Sequence, residues 1–254
     1  MSRIMCIAAL FVFLVTIANA ELVSSWNFDE GQGNVAIDSA GGHDGTLING
    51  PSWTSGKIGG ALNFDDTDDQ VYVADTDSLD FGANDSFTLM AWVKSDSKNA
   101  TIFSKRGYNS DGYTSGYCLN VHFATGQLWF AIEGNSDDQS YIKGETNLVD
   151  GLWHHVAAVR DTVTDKLLLY VDGKIDATSV IDTTTTSLAN NKPLRIGTME
   201  DLYYQAFFDG SIDDMRIYNH ALTEQEIVNI VPEPTTILLL TMGAFFVSKK
   251  RKLN

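Results

Sequence analysis

Carboxylates and aromatic rings are the side chains of this sequence best placed to do chemistry. The run Ala36-Ile37-Asp38-Ser39-Ala40-Gly41-Gly42-His43-Asp44-Gly45-Thr46-Leu47 sets acids, a hydroxyl and an imidazole among glycines. Such a loop frees backbone carbonyls and offers the hard oxygen donors that Ca²⁺ takes. The same residues also suit an ordinary turn in which Asp38 caps its own backbone. A second acidic run, Asp65-Asp66-Thr67-Asp68-Asp69, lacks the glycine and distant glutamate of an EF-hand loop. It reads better as a solvated hairpin tip than as a cation site. Asp213 shares the parity of Met215 and Ile217, which predicts an inward carboxylate. A buried acid needs a metal, a cation such as Arg216, or a backbone amide.

Tyr108 and Tyr113 lie in a Gly-, Ser- and Asp-rich segment, where rings beside hydrogen-bonding groups suit sugar stacking. Loop tyrosines also occur without ligands. His154-His155 supplies a possible base, and Glu224 with Glu226 a pair of acids, but they sit on a strand and a terminal helix. The sequence contains no nucleophile elbow, zinc spacing or phosphate loop. A non-catalytic role is expected.

The elements that must position these groups are strands. From Trp153 to Val159 the odd positions form a period-2 set, and Leu167, Leu169 and Val171 share one face of a second strand. Asp172-Gly173 then predicts a two-residue hairpin turn. Phe87, Leu89, Ala91 and Val93 oppose Met90 and Trp92, so that strand is apolar on both faces. Further strands are expected at 22–29, 59–64, 70–73, 100–105, 116–123, 127–133 and 194–197. Residues 134–139 and 182–191 read as polar loops. Thr223 to Glu226 has the spacing of a capping box that opens a short helix. Successive hairpins with apolar faces need a second sheet to cover them, which predicts a sandwich.

Both ends carry addresses. Arg3, the apolar run Ile4 to Ile17 and Ala18-Asn19-Ala20 predict a signal peptide over residues 1–20. Its removal takes Cys6 and leaves Cys118 alone, so no internal disulfide is possible, and a buried strand thiol is expected. At the other end Val231-Pro232-Glu233-Pro234 precedes an apolar run and Lys249-Lys250-Arg251-Lys252. That order predicts a span entering the inner membrane with its basic end cytoplasmic. The run, about 14 residues or roughly 21 Å as a helix, is short for a bilayer core. Arg3 and the tail hold five of the 17 basic residues, and Glu233 is one of 33 acids, so residues 21–230 carry 12 against 32. A balance of −20 excludes nucleic acid as a partner.

Three groups of residues carry a family resemblance: Trp153-His154-His155-Val156-Ala157 with Leu169-Tyr170-Val171-Asp172-Gly173; Phe87-Thr88 to Trp92-Val93; and Phe208-Asp209-Gly210-Ser211-Ile212-Asp213-Asp214-Met215-Arg216-Ile217-Tyr218-Asn219. Together they resemble the concanavalin A-like, laminin G-like superfamily. The resemblance implies an all-β jelly-roll sandwich of two antiparallel sheets over residues 21–230. It also implies that the first and last strands meet, bringing Asp38, His43 and Asp213 together around a structural calcium. The loop at Asp38 is one residue shorter than the family's Asp-Ser-x-Gly-x-x-x-x-Gly pattern. The Glu-x-Asp-x-Glu triplet of one hydrolase branch is missing from the sequence, so the resemblance implies binding of carbohydrate or exopolysaccharide. Protein adhesion is the alternative, and a glycoside hydrolase a weaker one. Residues 231–254 resemble the PEP-CTERM sorting signal of Gram-negative bacteria. That implies processing by an exosortase and a destination at the cell surface or in the extracellular matrix.

Overall fold

Short alternating segments broken by polar, glycine-bearing turns become strands, and in the computed structural model these strands stack as two antiparallel sheets. The structure describes residues 21–108, 114–135, 137–199 and 206–231. The expected signal peptide and the sorting segment from Pro232 to Asn254 lie outside the described residues. The strands are β1 (Leu22–Trp26), β2 (Val35–Ala36), β3 (Gly45–Ile48), β4 (Ser52–Ser55), β5 (Gly60–Asp65), β6 (Gln70–Val73), β7 (Phe87–Ser95), β8 (Ala100–Tyr108) and β9 (Thr114–Val121). They continue with β10 (Gln127–Asn135), β11 (Asp138–Asn147), β12 (His154–Asp161), β13 (Lys166–Val171), β14 (Lys174–Ile175), β15 (Val180–Ile181), β16 (Leu194–Ile196) and β17 (Asp209–Tyr218).

One sheet runs β14-β13-β12-β7-β17-β5-β4, with β1 also pairing β17 and β15 pairing β13. The other runs β11-β10-β9-β8-β16-β6-β3-β2. The all-β jelly-roll sandwich expected from the sequence is therefore present. First and last strands do meet, with Trp26 opposite Met215.

Phe87, Leu89, Ala91 and Val93 enter the core between the sheets, while Met90 joins Ala157, Val159 and Tyr170 on the outer face. A short helix, α1 (Glu224–Ile230), covers that outer face through Ile227, and Thr223 and Glu226 form its capping box. Two-sided apolarity in β7 thus has a cause: one face meets the other sheet and the other meets α1. On β12 the core face is Val156 and Ala158, so of the odd-numbered set Ala157 and Val159 pack with the helix instead. Asp172 and Gly173 take positive φ values of 51° and 75° between β13 and β14, as the Asp-Gly pair predicts.

Besides the short strands β3 and β4, which no expected strand covers, two features depart from the pattern. Against β7, Asp213 lies opposite Trp92 but Arg216 lies opposite Met90, so β17 carries a bulge. Ile212 faces the core before it, and Met215 and Ile217 after it. Asp214, at a φ of 45°, sits where the strand turns over. Asp213 is buried, but it shares the face of Trp92, and the parity expected with Met215 and Ile217 is overturned. Strand β11 has no counterpart among the predicted strands. Of its buried positions Ser140, Ile142 and Gly144, only Ile142 is a large apolar side chain, which hides the alternation.

Two fully buried cations tie loops to the sheets. Lys105 Nζ reaches Asp80 at 2.7 Å and Asp75 at 2.8 Å. Arg160 Nε donates to Asp182 at 2.7 Å, and its terminal nitrogens donate to the carbonyls of Gly82 and Ala83, each at 2.9 Å.

Candidate functional site

Asp38 sits on the loop after β2, bridged to Trp26. Its Oδ1 accepts from the amides of Ser25 at 2.8 Å and Ala40 at 3.0 Å, and its Oδ2 from the His43 amide at 3.0 Å. Burial alone would raise this carboxyl; the amides of Ser25, Ala40, His43 and Gly41 outweigh it and hold the group below the usual range. His43 Nδ1 lies 3.0 Å from Asp38 Oδ2 and 2.8 Å from Ser24 Oγ, and Nε2 lies 2.8 Å from Ser78 Oγ. Asp213 answers a different loop, its Oδ2 accepting from the Ile58 amide at 2.9 Å. A hard cation needs lone pairs turned toward it. Those of Asp38 already face N–H donors, and the set expected for calcium at Asp38, His43 and Asp213 is not assembled. The residues do not fit the ion.

The acidic run at the end of β5 does come together: carboxylate oxygens of Asp65, Asp68 and Asp69 lie within 4.8 Å of one another. Burial, with Asp65 and Asp68 nearby, raises the Asp69 carboxyl. Asp65 and Asp68 remain exposed, as a solvated corner should. Ser78, His43 and Asp38 follow the order of nucleophile, base and orienting acid. The amides of Ala40 and His43, however, turn toward Asp38, and the adjoining cavity of about 580 Å³ is lined by Glu21, Asp80 and Asp85. Three acids oppose a developing oxyanion, so this line of residues fastens a loop rather than attacking a substrate. Tyr113 lies outside the described residues, as does the side chain of Tyr108. Cys118 is buried, and burial raises its thiol, as expected for a structural cysteine.

The better candidate lies on the solvent face of the second sheet. Leu128, Phe130 and Ile132 of β10 fill the core, which turns Trp129 outward. Diagonal neighbours on adjacent strands bring Tyr141 of β11 to one side of it and His122, just past β9, to the other. The Trp129 and Tyr141 rings stack at 4.6 Å and 17°, and those of His122 and Trp129 at 5.1 Å and 28°. Phe123 continues the row at 4.5 Å from His122 and is 64% exposed.

His122, Phe123 and Trp129 of this ladder line a cavity of about 420 Å³. Met199 and Ala206 face it, Ala100 and Asn120 lie between, and no charged side chain lines it among the described residues. Burial, then the charge of Lys143, holds His122 below the usual imidazole range, so the wall is uncharged near neutrality. An apolar, aromatic cavity with a few amide groups is what a hydroxylated ring with a C–H face requires. Sequence reasoning missed it, although one signal was legible: a tryptophan at an outward position of a strand whose inward set is already complete.

Domain 4 of AbnA, a GH43 extracellular arabinanase from Geobacillus stearothermophilus solved with arabinotriose, is 20% identical and superposes with a TM-score of 0.60. The match covers 84% of this chain and 99% of that one. The binding domain of Paraclostridial Mosquitocidal Protein 1 is 15% identical at a TM-score of 0.66, covering 83% of this chain and 52% of that one. A structure of botulinum neurotoxin type C, whose cell entry depends on interaction with two ganglioside molecules, is 15% identical at a TM-score of 0.61 and covers 83% and 51%. The chain thus spans about half the length of these toxin domains. At such identities the likeness is one of fold alone. No protein of curated function matches the sequence. Residues 65–228, well over half of the sequence, match the concanavalin A-like lectin/glucanases superfamily, and the chain belongs to that family.

Proposed function

We propose that this protein is an exported, non-catalytic carbohydrate-binding module that holds exopolysaccharide at the cell surface or in the extracellular matrix. The observation that carries the reading is the row Phe123, His122, Trp129 and Tyr141 standing beside an uncharged cavity with Asn120 in its lining. Stacked rings are rigid, so a sugar settling against Phe123 orders little that is not already ordered. The arabinotriose-bound domain of the same fold supports the class of ligand. Export rests on the 1–20 segment, and release by an exosortase after transient insertion in the inner membrane rests on Val231 to Pro234 and the tail behind them. Among the described residues no helix is long and apolar enough to cross a membrane.

A glycan array with the protein and its Phe123→Ala variant tests the binding. Phe123 is largely exposed, so the variant keeps the fold while affinity falls about ten-fold or more. Retention of no glycan, or equal retention by both proteins, removes the reading.

A further inference from the structure

Polar side chains of this fold are generally tied down, as Arg160, Lys105, Asp138 and Asp176 illustrate. Exceptions are scattered, Asp213 Oδ1 and His155 Nδ1 among them, but four gather in one patch. Thr101 Oγ1, Ser104 Oγ, Asn120 Oδ1 and Thr198 Oγ1 are buried and have no hydrogen-bond partner among the described residues. Thr101, Ser104 and Thr198 are 0%, 1% and 3% exposed. Thr101 lies opposite Asn120, and Ser104 opposite Cys118, on neighbouring strands β8 and β9. The patch adjoins the cavity: Asn120 lines it, Thr101 follows Ala100 and Thr198 precedes Met199, both lining residues, and the Thr101 amide donates to Ala206 at 3.3 Å. Unpaired buried hydroxyls are costly, and a group of them beside a cavity suits a polar ligand within it.

We propose that this patch reads the hydroxyls of the ligand, so that the cavity takes the neutral, polyhydroxylated end of a glycan rather than an acidic sugar. The proposal rests on the carbohydrate reading above and adds the chemical class to it. Asn120 Oδ1 accepts from a sugar hydroxyl, while its Nδ2 stays on Cys118 Sγ at 3.6 Å. Thr101, opposite Asn120, and Thr198, next to Met199, can donate to or accept from the same ligand or a water that it orders. Among the described residues the lining has no cation to answer a carboxylate or sulfate, and burial holds His122 below the usual imidazole range. A buried site built to hydrogen-bond a hydroxyl rejects the analogue lacking it, because its own groups are then left unpaired.

The test compares the protein with its Thr101→Val/Thr198→Val double variant and with Phe123→Ala. Calorimetric titration uses a neutral oligosaccharide retained on the array, its deoxy analogues and its uronate counterpart, and each protein is also melted without ligand. The double variant should bind about ten-fold or more weakly, yet melt no lower, with a rise of about 2–4 °C as unpaired hydroxyls disappear. A lower melting temperature shows the hydroxyls paired within the fold and overturns the inference. Unchanged affinity of the double variant, or tighter binding of the uronate, overturns it too. If Phe123→Ala alone loses binding, the carbohydrate site stands and only the hydroxyl patch is withdrawn. If the protein binds no glycan, the proposed function falls and this inference with it.

Discussion

His155 and Asp213 flank Trp92 in one row of cross-strand partners, His155 from β12 and Asp213 from β17. Each ends in a buried atom without a partner among the described residues, His155 Nδ1 and Asp213 Oδ1. Burial moves the two in opposite senses, His155 down to about 4 and Asp213 up to about 7, because it favours the neutral form of both.

Their pH dependences follow with opposite signs. The fold keeps a proton on Asp213 that the unfolded chain releases near 3.8. That stability is complete below the unfolded value and is lost as pH rises through about 7. Asp213→Asn stays neutral throughout, so its melting temperature relative to wild type should climb between about pH 4 and about pH 8, by at most roughly 4 kcal/mol of stability. Melting curves across that range check it, and a flat difference would show that Asp213 is ionised in the fold. His155 acts the other way, its contribution being lost as pH falls from 6.5 through about 4.

Asp38 is held by amides, which predicts the response to metal. Its lowered carboxyl contributes stability above the unfolded value and loses it as pH falls through the folded one. Asp38→Asn presents an NH₂ to donors that need an acceptor, at a cost of about 1–3 kcal/mol. Calcium and a chelator should leave the wild-type melting temperature unchanged. A rise with calcium that disappears in Asp38→Asn would restore an ion to this loop.

Arg160 is a structural clamp. Its replacement by Met leaves Asp182, whose side chain is 4% exposed, and the carbonyls of Gly82 and Ala83 without their donor. Urea denaturation should show a loss of about 3–5 kcal/mol. A loss below about 1 kcal/mol would mean that water replaces the guanidinium at little cost.

His122 should titrate below an ordinary histidine, chiefly because of burial and secondarily because of Lys143. In an NMR titration Lys143→Gln should move the ring upward, part of the way to the usual value. No movement would place Lys143 too far off to act. Glycan affinity should accordingly change little between about pH 7.5 and about pH 6.5.

Much of the architecture could be read from local pattern. Alternation in β7, the Asp-Gly turn after β13 and the capping box of α1 each depend on a few consecutive residues, and each forms as expected. Burial of Cys118 follows in the same way, from its place in an apolar strand. Alternation, however, counts residues and cannot register a residue that the ladder skips. At Asp214 the bulge reverses the count, and only pairing with β7 reveals that Asp213 stands beside Trp92. The cavity depended still more on tertiary structure. Trp129, Asn120 and Met199 come from two strands and a loop, and Tyr141, which stacks on Trp129, from a strand with no clear alternation of its own. Sheet pairing brings such residues to neighbouring positions about 4.8 Å apart, and that spacing is a property of the assembled ladder that no single segment carries.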